Sequence, residues 1–93
     1  MSDMIRRYAC AAGRVQGVGF RMFVRQQALM HDITGWVRNM SDGTVTMELQ
    51  GAAAAVGAVF AAMRAGNHFI RVEHLETEER ELVSGDRDFS IRY

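Results

Sequence analysis

The stretch TGWVRNMSDGTVTMELQ, residues 34–50, constrains the fold more than any other part of the chain. Val45, Met47 and Leu49 alternate strictly with Thr44, Thr46, Glu48 and Gln50, the period-two pattern of a strand with one buried face and one wet face. Just ahead of them stand Ser41, Asp42 and Gly43, and an Asp-Gly pair accepts the positive φ that a tight hairpin turn demands. The spacing predicts an antiparallel pair, 34–40 with 44–50, and therefore a sheet face that other elements must cover.

The covering elements read out on either side. Over 20–31 the period lengthens: Phe20, Val24, Ala28 and His31 fall on one helical face, with Phe23, Gln27 and Met30 beside it. Val56, Val59, Phe60 and Met63 stand at i, i+3, i+4 and i+7 in an alanine-rich run that stops near Gly66, where a glycine C-cap belongs. A short strand over 5–13 precedes the first helix. After the second helix comes FIRVEHLETEERE, a strand with acidic outer positions, and then FSIRY, in which Phe89, Ile91 and Tyr93 alternate. The order is βαββαβ plus a short terminal strand. That is the split βαβ pattern of the α+β, ferredoxin-like class, with two helices on one face of an antiparallel sheet.

At 93 residues this amounts to one core, so a single domain over 1–93 is expected. Cys10 is the only cysteine, which excludes an internal disulfide and favours a reducing, cytoplasmic setting; on this strand it reads as a small sheet residue. The opening MSDMIRRYACAAG lacks the apolar run of a secretion signal, and no membrane association is expected. Formal net charge is zero, which argues against a nucleic-acid partner, although residues 1–40 hold six Arg against two Asp while residues 71–88 hold three Arg against seven acids. An anion is drawn to the first half. The acidic run near the end reads as the wet face of its strand, and His31, His68 and His74 as structural or solvated side chains.

Within that first half, GRVQGVGFR (13–21) places three glycines between Arg14 and Arg21, at the junction of the first strand and first helix. A glycine-rich turn entering a helix exposes backbone N–H groups at the positive end of the helix dipole, which suits an anion. Two familiar phosphate loops do not fit. A Walker sequence needs a lysine that this chain lacks, and a GxGxxG pattern begun at Gly17 meets Met22 where the last glycine belongs.

Together with GWVRN and DGTV, this loop strongly resembles the acylphosphatase family, whose signature combines a GxVQGVxFR loop with a G-x-x-x-N segment on the following strand. The closing FSIRY is similar to the ends of several members, so the likeness runs from the first strand to the last residue. QGAAAA and AGNHFIRVEH depart from the family's commoner patterns, away from the motif. The resemblance implies hydrolysis of a carboxylic–phosphoric anhydride to carboxylate and inorganic phosphate. It puts the phosphate-binding arginine at Arg21, the water-orienting asparagine at Asn39, and the amide cradle at Gly17, Val18, Gly19 and Phe20. Arg14 reads as a solvated or loop-bracing charge.

Such chemistry needs no conventional acid, metal or cofactor. The leaving carboxylate has a conjugate acid of pKa about 4, so it departs unprotonated at neutral pH. What remains is to hold the phosphoryl group and aim a water in line with the leaving oxygen. The terminal carboxylate of Tyr93 is expected to orient Arg21 while phosphate is absent. A monomer acting on a small-molecule acyl phosphate is expected. The alternative is a non-catalytic module that binds phosphate or carbamoyl phosphate. An RNA-binding domain of the same fold is disfavoured, because the third strand offers no aromatic side chain for base stacking.

Overall fold

The computed structural model describes residues 3–93; Met1 and Ser2, which open the stretch read for targeting signals, lie outside the described residues. The elements follow the expected order: β1 (Met4–Arg14), α1 (Phe20–Met30), β2 (Thr34–Asn39), β3 (Val45–Ala52), α2 (Ala53–Ala65), β4 (Arg71–Arg80) and β5 (Phe89–Arg92). Among the described residues no helix is long and apolar enough to cross a membrane.

The strands form one sheet in the order β4-β1-β3-β2-β5. Strands β1 to β4 pair antiparallel, as expected, but β5 joins the free edge of β2 in parallel, making the sheet mixed. The reason lies in the route. β4 occupies the opposite edge and runs antiparallel to β1, so the chain crosses the bottom of the sheet over 81–88 and can only re-enter it in the direction of β2.

Ala9 and Ala11 of β1, Val45, Met47 and Leu49 of β3, and Val37 of β2 all point to the face covered by the helices. Phe20, Val24 and Ala28 of α1 and Val56, Val59, Phe60 and Met63 of α2 close over them as the two stripes predict, except that His31, expected on the first stripe, is the C-cap beyond α1 and only half-buried. Small alanines on β1 let the helices approach the sheet closely. α2 starts directly after β3, and Gly66 ends it at φ 63°.

The other sheet face is not left open at its lower end. The 81–88 segment is strapped across it: Val83 N–H donates to Gln50 Oε1 at 2.8 Å, and Gln50 Nε2 donates back to the Val83 carbonyl at 3.1 Å. Beneath the strap Arg6 is 5% exposed and donates to Glu48 at 2.5 Å, to Gln50 at 3.1 Å and to Asp86 at 2.8 Å. A buried guanidinium is tolerable only with such partners. Cys10 sits half-buried on this same face, between Thr46 and Glu76.

Candidate active site

Residues 15–19 leave the top of β1 and turn into α1. Val15 and Phe20 are fully buried and Val18 is packed against the same core, so the apolar side chains anchor the loop from beneath. The intervening glycines turn the backbone the other way, with φ 74° at Gly17 and 79° at Gly19. Neither has an atom within 4 Å of where a Cβ would stand, so it is the left-handed conformation, not lack of space, that calls for glycine. Gly19 is the N-cap of α1 and supplies no capping side chain. The first bond at this end runs from Phe23 N–H to the Gly19 carbonyl at 3.0 Å, leaving the N–H groups of Phe20, Arg21 and Met22 outside the intrahelical ladder.

These groups line a pocket of about 200 Å³ together with Asn39 from the end of β2 and Ile91 and Tyr93 from the end of the chain. Of the residues expected at the site, Gly17, Gly19, Phe20, Arg21 and Asn39 are brought together here, whereas Val18 turns into the core and does not line the pocket.

Arg21 leans over the end of β5. Its guanidinium donates to the Arg92 carbonyl at 3.3 Å and lies 4.8 Å from the centre of the Tyr93 ring. The expected pairing with the terminal carboxylate does not form among the described residues; alternation along β5 puts the Tyr93 ring, not the chain end, against the guanidinium. Both observed contacts are readily given up, because a phosphoryl dianion binds a guanidinium more strongly than a neutral carbonyl does.

Asn39 shares the helix-covered side of the sheet with Val37, which directs its amide to the loop. Its Oδ1 is buried and has no hydrogen-bond partner among the described residues. A buried acceptor without a donor costs about 1–3 kcal/mol, a cost removed when a donor arrives.

One further residue of the quoted loop makes a contact that its glycines and arginines do not announce. Gln16 donates through Nε2 to the carbonyls of Met40 at 2.7 Å and Thr44 at 2.9 Å, clipping the loop to the β2–β3 turn. The signal was its being the one side-chain amide among glycines and valines. The turn itself is as the sequence predicts: Gly43 has φ 92°, and Asp42 accepts from Thr44 N–H at 3.0 Å and Thr44 Oγ1 at 2.6 Å. Those bonds hold the Asp42 carboxyl below its ordinary range by favouring the charged form. The wall formed by Met22 and Ile91 is not marked in the sequence, and Tyr93, expected here through its carboxylate, contributes its ring instead.

The family model described as Acylphosphatase matches residues 7–91. An acylphosphatase of Geobacillus thermodenitrificans is 43% identical over 90 residues, covering 97% of this chain and 96% of that one. The crystal structure of the acylphosphatase from Bacillus subtilis superposes with a TM-score of 0.90 at 35% identity, covering 96% of this chain and 99% of that one. A full-length HypF, in its phosphate- and nucleotide-bound form, matches all of this chain with 12% of its own, at 28% identity and a TM-score of 0.87.

Proposed function

The chain belongs to the acylphosphatase family and hydrolyses acyl phosphates, and from that premise we propose that Arg21 and the loop amides hold the phosphoryl group while Asn39 aims the attacking water. The observation that carries this reading is the meeting of three complementary features at one pocket: a guanidinium, free helix-terminal N–H groups and the side-chain amide of Asn39, whose Oδ1 is buried without a partner among the described residues.

The amides of the loop and the Arg21 fork point donors at the equatorial phosphoryl oxygens, where charge accumulates as the bond to the acyl oxygen lengthens. The Asn39 amide turns readily about its last torsion and presents Oδ1 to a water as hydrogen-bond acceptor. The water oxygen bonds to phosphorus as the P–O bond to the acyl group breaks. The electron pair leaves with the carboxylate, and the water's proton passes to a phosphoryl oxygen, since an amide is too weak a base to take it. Arg21 therefore serves binding and charge stabilisation, and Asn39 serves orientation. Relatives matched over nearly their full length bear the hydrolase's name, which favours this reading over a non-catalytic phosphate module.

Hydrolysis of benzoyl phosphate by the chain, by Arg21→Ala and by Asn39→Ala tests the assignment. Arg21→Ala is expected to lower kcat/KM by roughly 10² or more. Asn39→Ala is expected to lose turnover while inorganic phosphate still competes. An Arg21→Ala value within a few-fold of the parent overturns the role of Arg21, and a matching loss of phosphate affinity in Asn39→Ala moves that residue from water orientation to binding.

A further inference from the structure

A second concave surface lies at the same end of the sheet as the phosphate loop but shares no lining residue with the pocket above. It is about 370 Å³, and it is walled by Arg14 at the end of β1, Arg64 in the last turn of α2, Asn67 and His68 in the connection that follows, and Arg71 at the start of β4. No carboxylate lines it. The three arginines make no ion pair and no side-chain hydrogen bond with any described residue, and Glu73, the nearest acid along β4, pairs with none of them.

Two further details sharpen the picture. Arg14 and Arg71 are direct cross-strand partners, and like charges facing each other across a ladder oppose the pairing that brings them together. Asn67 spends its Oδ1 on the N–H groups of Phe69 and Ile70, each at 2.8 Å, so only its amide N–H donors remain for anything in the cavity. The lining therefore offers guanidinium forks and amide donors with nothing among the described residues to receive them.

We infer that this cavity is a second oxyanion site, built for an oligophosphate such as pyrophosphate or tripolyphosphate. Planar guanidinium forks pair bidentately with phosphate oxygens, and three of them match the charge of a chain of linked phosphates better than that of a single carboxylate. Binding there relieves the Arg14–Arg71 repulsion. The site is independent of catalysis in the first pocket.

Calorimetric titration with pyrophosphate and with tripolyphosphate tests it. The expected result is two equivalents per chain for the parent, one for Arg21→Ala, and one for the double variant Arg64→Gln/Arg71→Gln, which should keep its melting temperature and its hydrolysis of benzoyl phosphate. In the parent, tripolyphosphate should bind the second site at least tenfold more tightly than inorganic phosphate. A single equivalent in the parent that disappears in Arg21→Ala overturns the proposal, as does a second equivalent that survives the double substitution. ATP provides the last arm: binding of ATP where tripolyphosphate fails overturns an oligophosphate site in favour of one that reads the nucleoside.

Discussion

Gln16 Nε2 donates to the main-chain carbonyl of Met40 at 2.7 Å, across 24 residues of sequence. Its other amide proton reaches the Thr44 carbonyl at 2.9 Å, so one side chain spans the mouth of the turn that begins immediately after Asn39. The loop proposed to cradle phosphate and the asparagine proposed to orient water come from different elements, the β1–α1 connection and β2. Gln16 is the direct link between them.

Removing that link should separate catalysis from binding. Gln16→Ala leaves Arg21 and the loop amides in place but frees the turn, and misplacement by about 1 Å at a reacting centre costs up to about 10²-fold. We expect kcat for benzoyl phosphate to fall tenfold to a hundredfold with the inhibition constant of inorganic phosphate within threefold. Gln16→Glu should be worse, because a carboxylate faces two carbonyl oxygens, and Gln16→His, which retains a ring N–H donor, should recover part of the loss. Equal changes in kcat and phosphate affinity would show that Gln16 merely supports the loop.

Two glycines should answer differently to the same substitution. At Gly19 an added Cβ meets nothing within 4 Å, so Gly19→Ala bears only the left-handed backbone, about 1–2 kcal/mol, and relieves it by tilting amides that hold phosphate. Phosphate affinity should drop severalfold, with the melting temperature lowered by no more than the several degrees that such a cost implies. At Gly35, the second residue of β2, with φ 137°, the same Cβ would overlap the Glu48 carbonyl oxygen on β3. Gly35→Ala should lower the melting temperature by many degrees. Thermal melts and phosphate titrations on both variants check this, and a Gly19→Ala protein that melts as early as Gly35→Ala would contradict it.

What could be read in advance divides along a physical line. The hairpin and both helices were legible because each is set by a local period, and Val45, Met47, Leu49, Val56 and Met63 are buried as that period requires. The parallel docking of β5, the strap over 81–88 and the burial of Arg6 were not, because they depend on pairings such as Arg6 with Asp86, separated by 80 residues. The site divides in the same way. Arg21, Asn39 and the glycines stand out through a known motif and Tyr93 through the alternation of the last strand, whereas Ile91 and the ring contact of Tyr93 depend on β5 closing the edge beside β2.

Arg6 provides a test of the strap. Arg6→Ala would leave Glu48 beneath the strap and Asp86 within it without their cation, and breaking a buried ion pair costs about 3–5 kcal/mol. Both carboxylates are 21% exposed at the side chain and keep some water, so the loss should fall toward the lower end. Chemical denaturation should show it. Because the cluster lies at the opposite end of β1 from the loop, kcat/KM measured well below the melting point should stay within twofold; a larger loss would mean that the strap is coupled to the site.

The hairpin turn carries a pH dependence with a defined sign. Thr44 donates twice to the Asp42 carboxylate, and these bonds hold the folded-state pKa below the unfolded value of 3.8. A depressed carboxyl contributes stability that is fully present above the unfolded pKa and is lost as pH falls through the folded one. The contribution is therefore complete at neutral pH and disappears only in acid below 3.8. Carboxyl carbon shifts followed by NMR should give Asp42 a midpoint under that value, and the Thr44 amide should move with the same midpoint. Since the Thr44 carbonyl is also an acceptor for Gln16, protonation of Asp42 should weaken the clip, and the Gln16 side-chain amide signals should titrate in step. In Asp42→Asn both the Thr44 and the Gln16 transitions should vanish. A Thr44 transition without one at Gln16 would show that the turn and the loop are not mechanically joined.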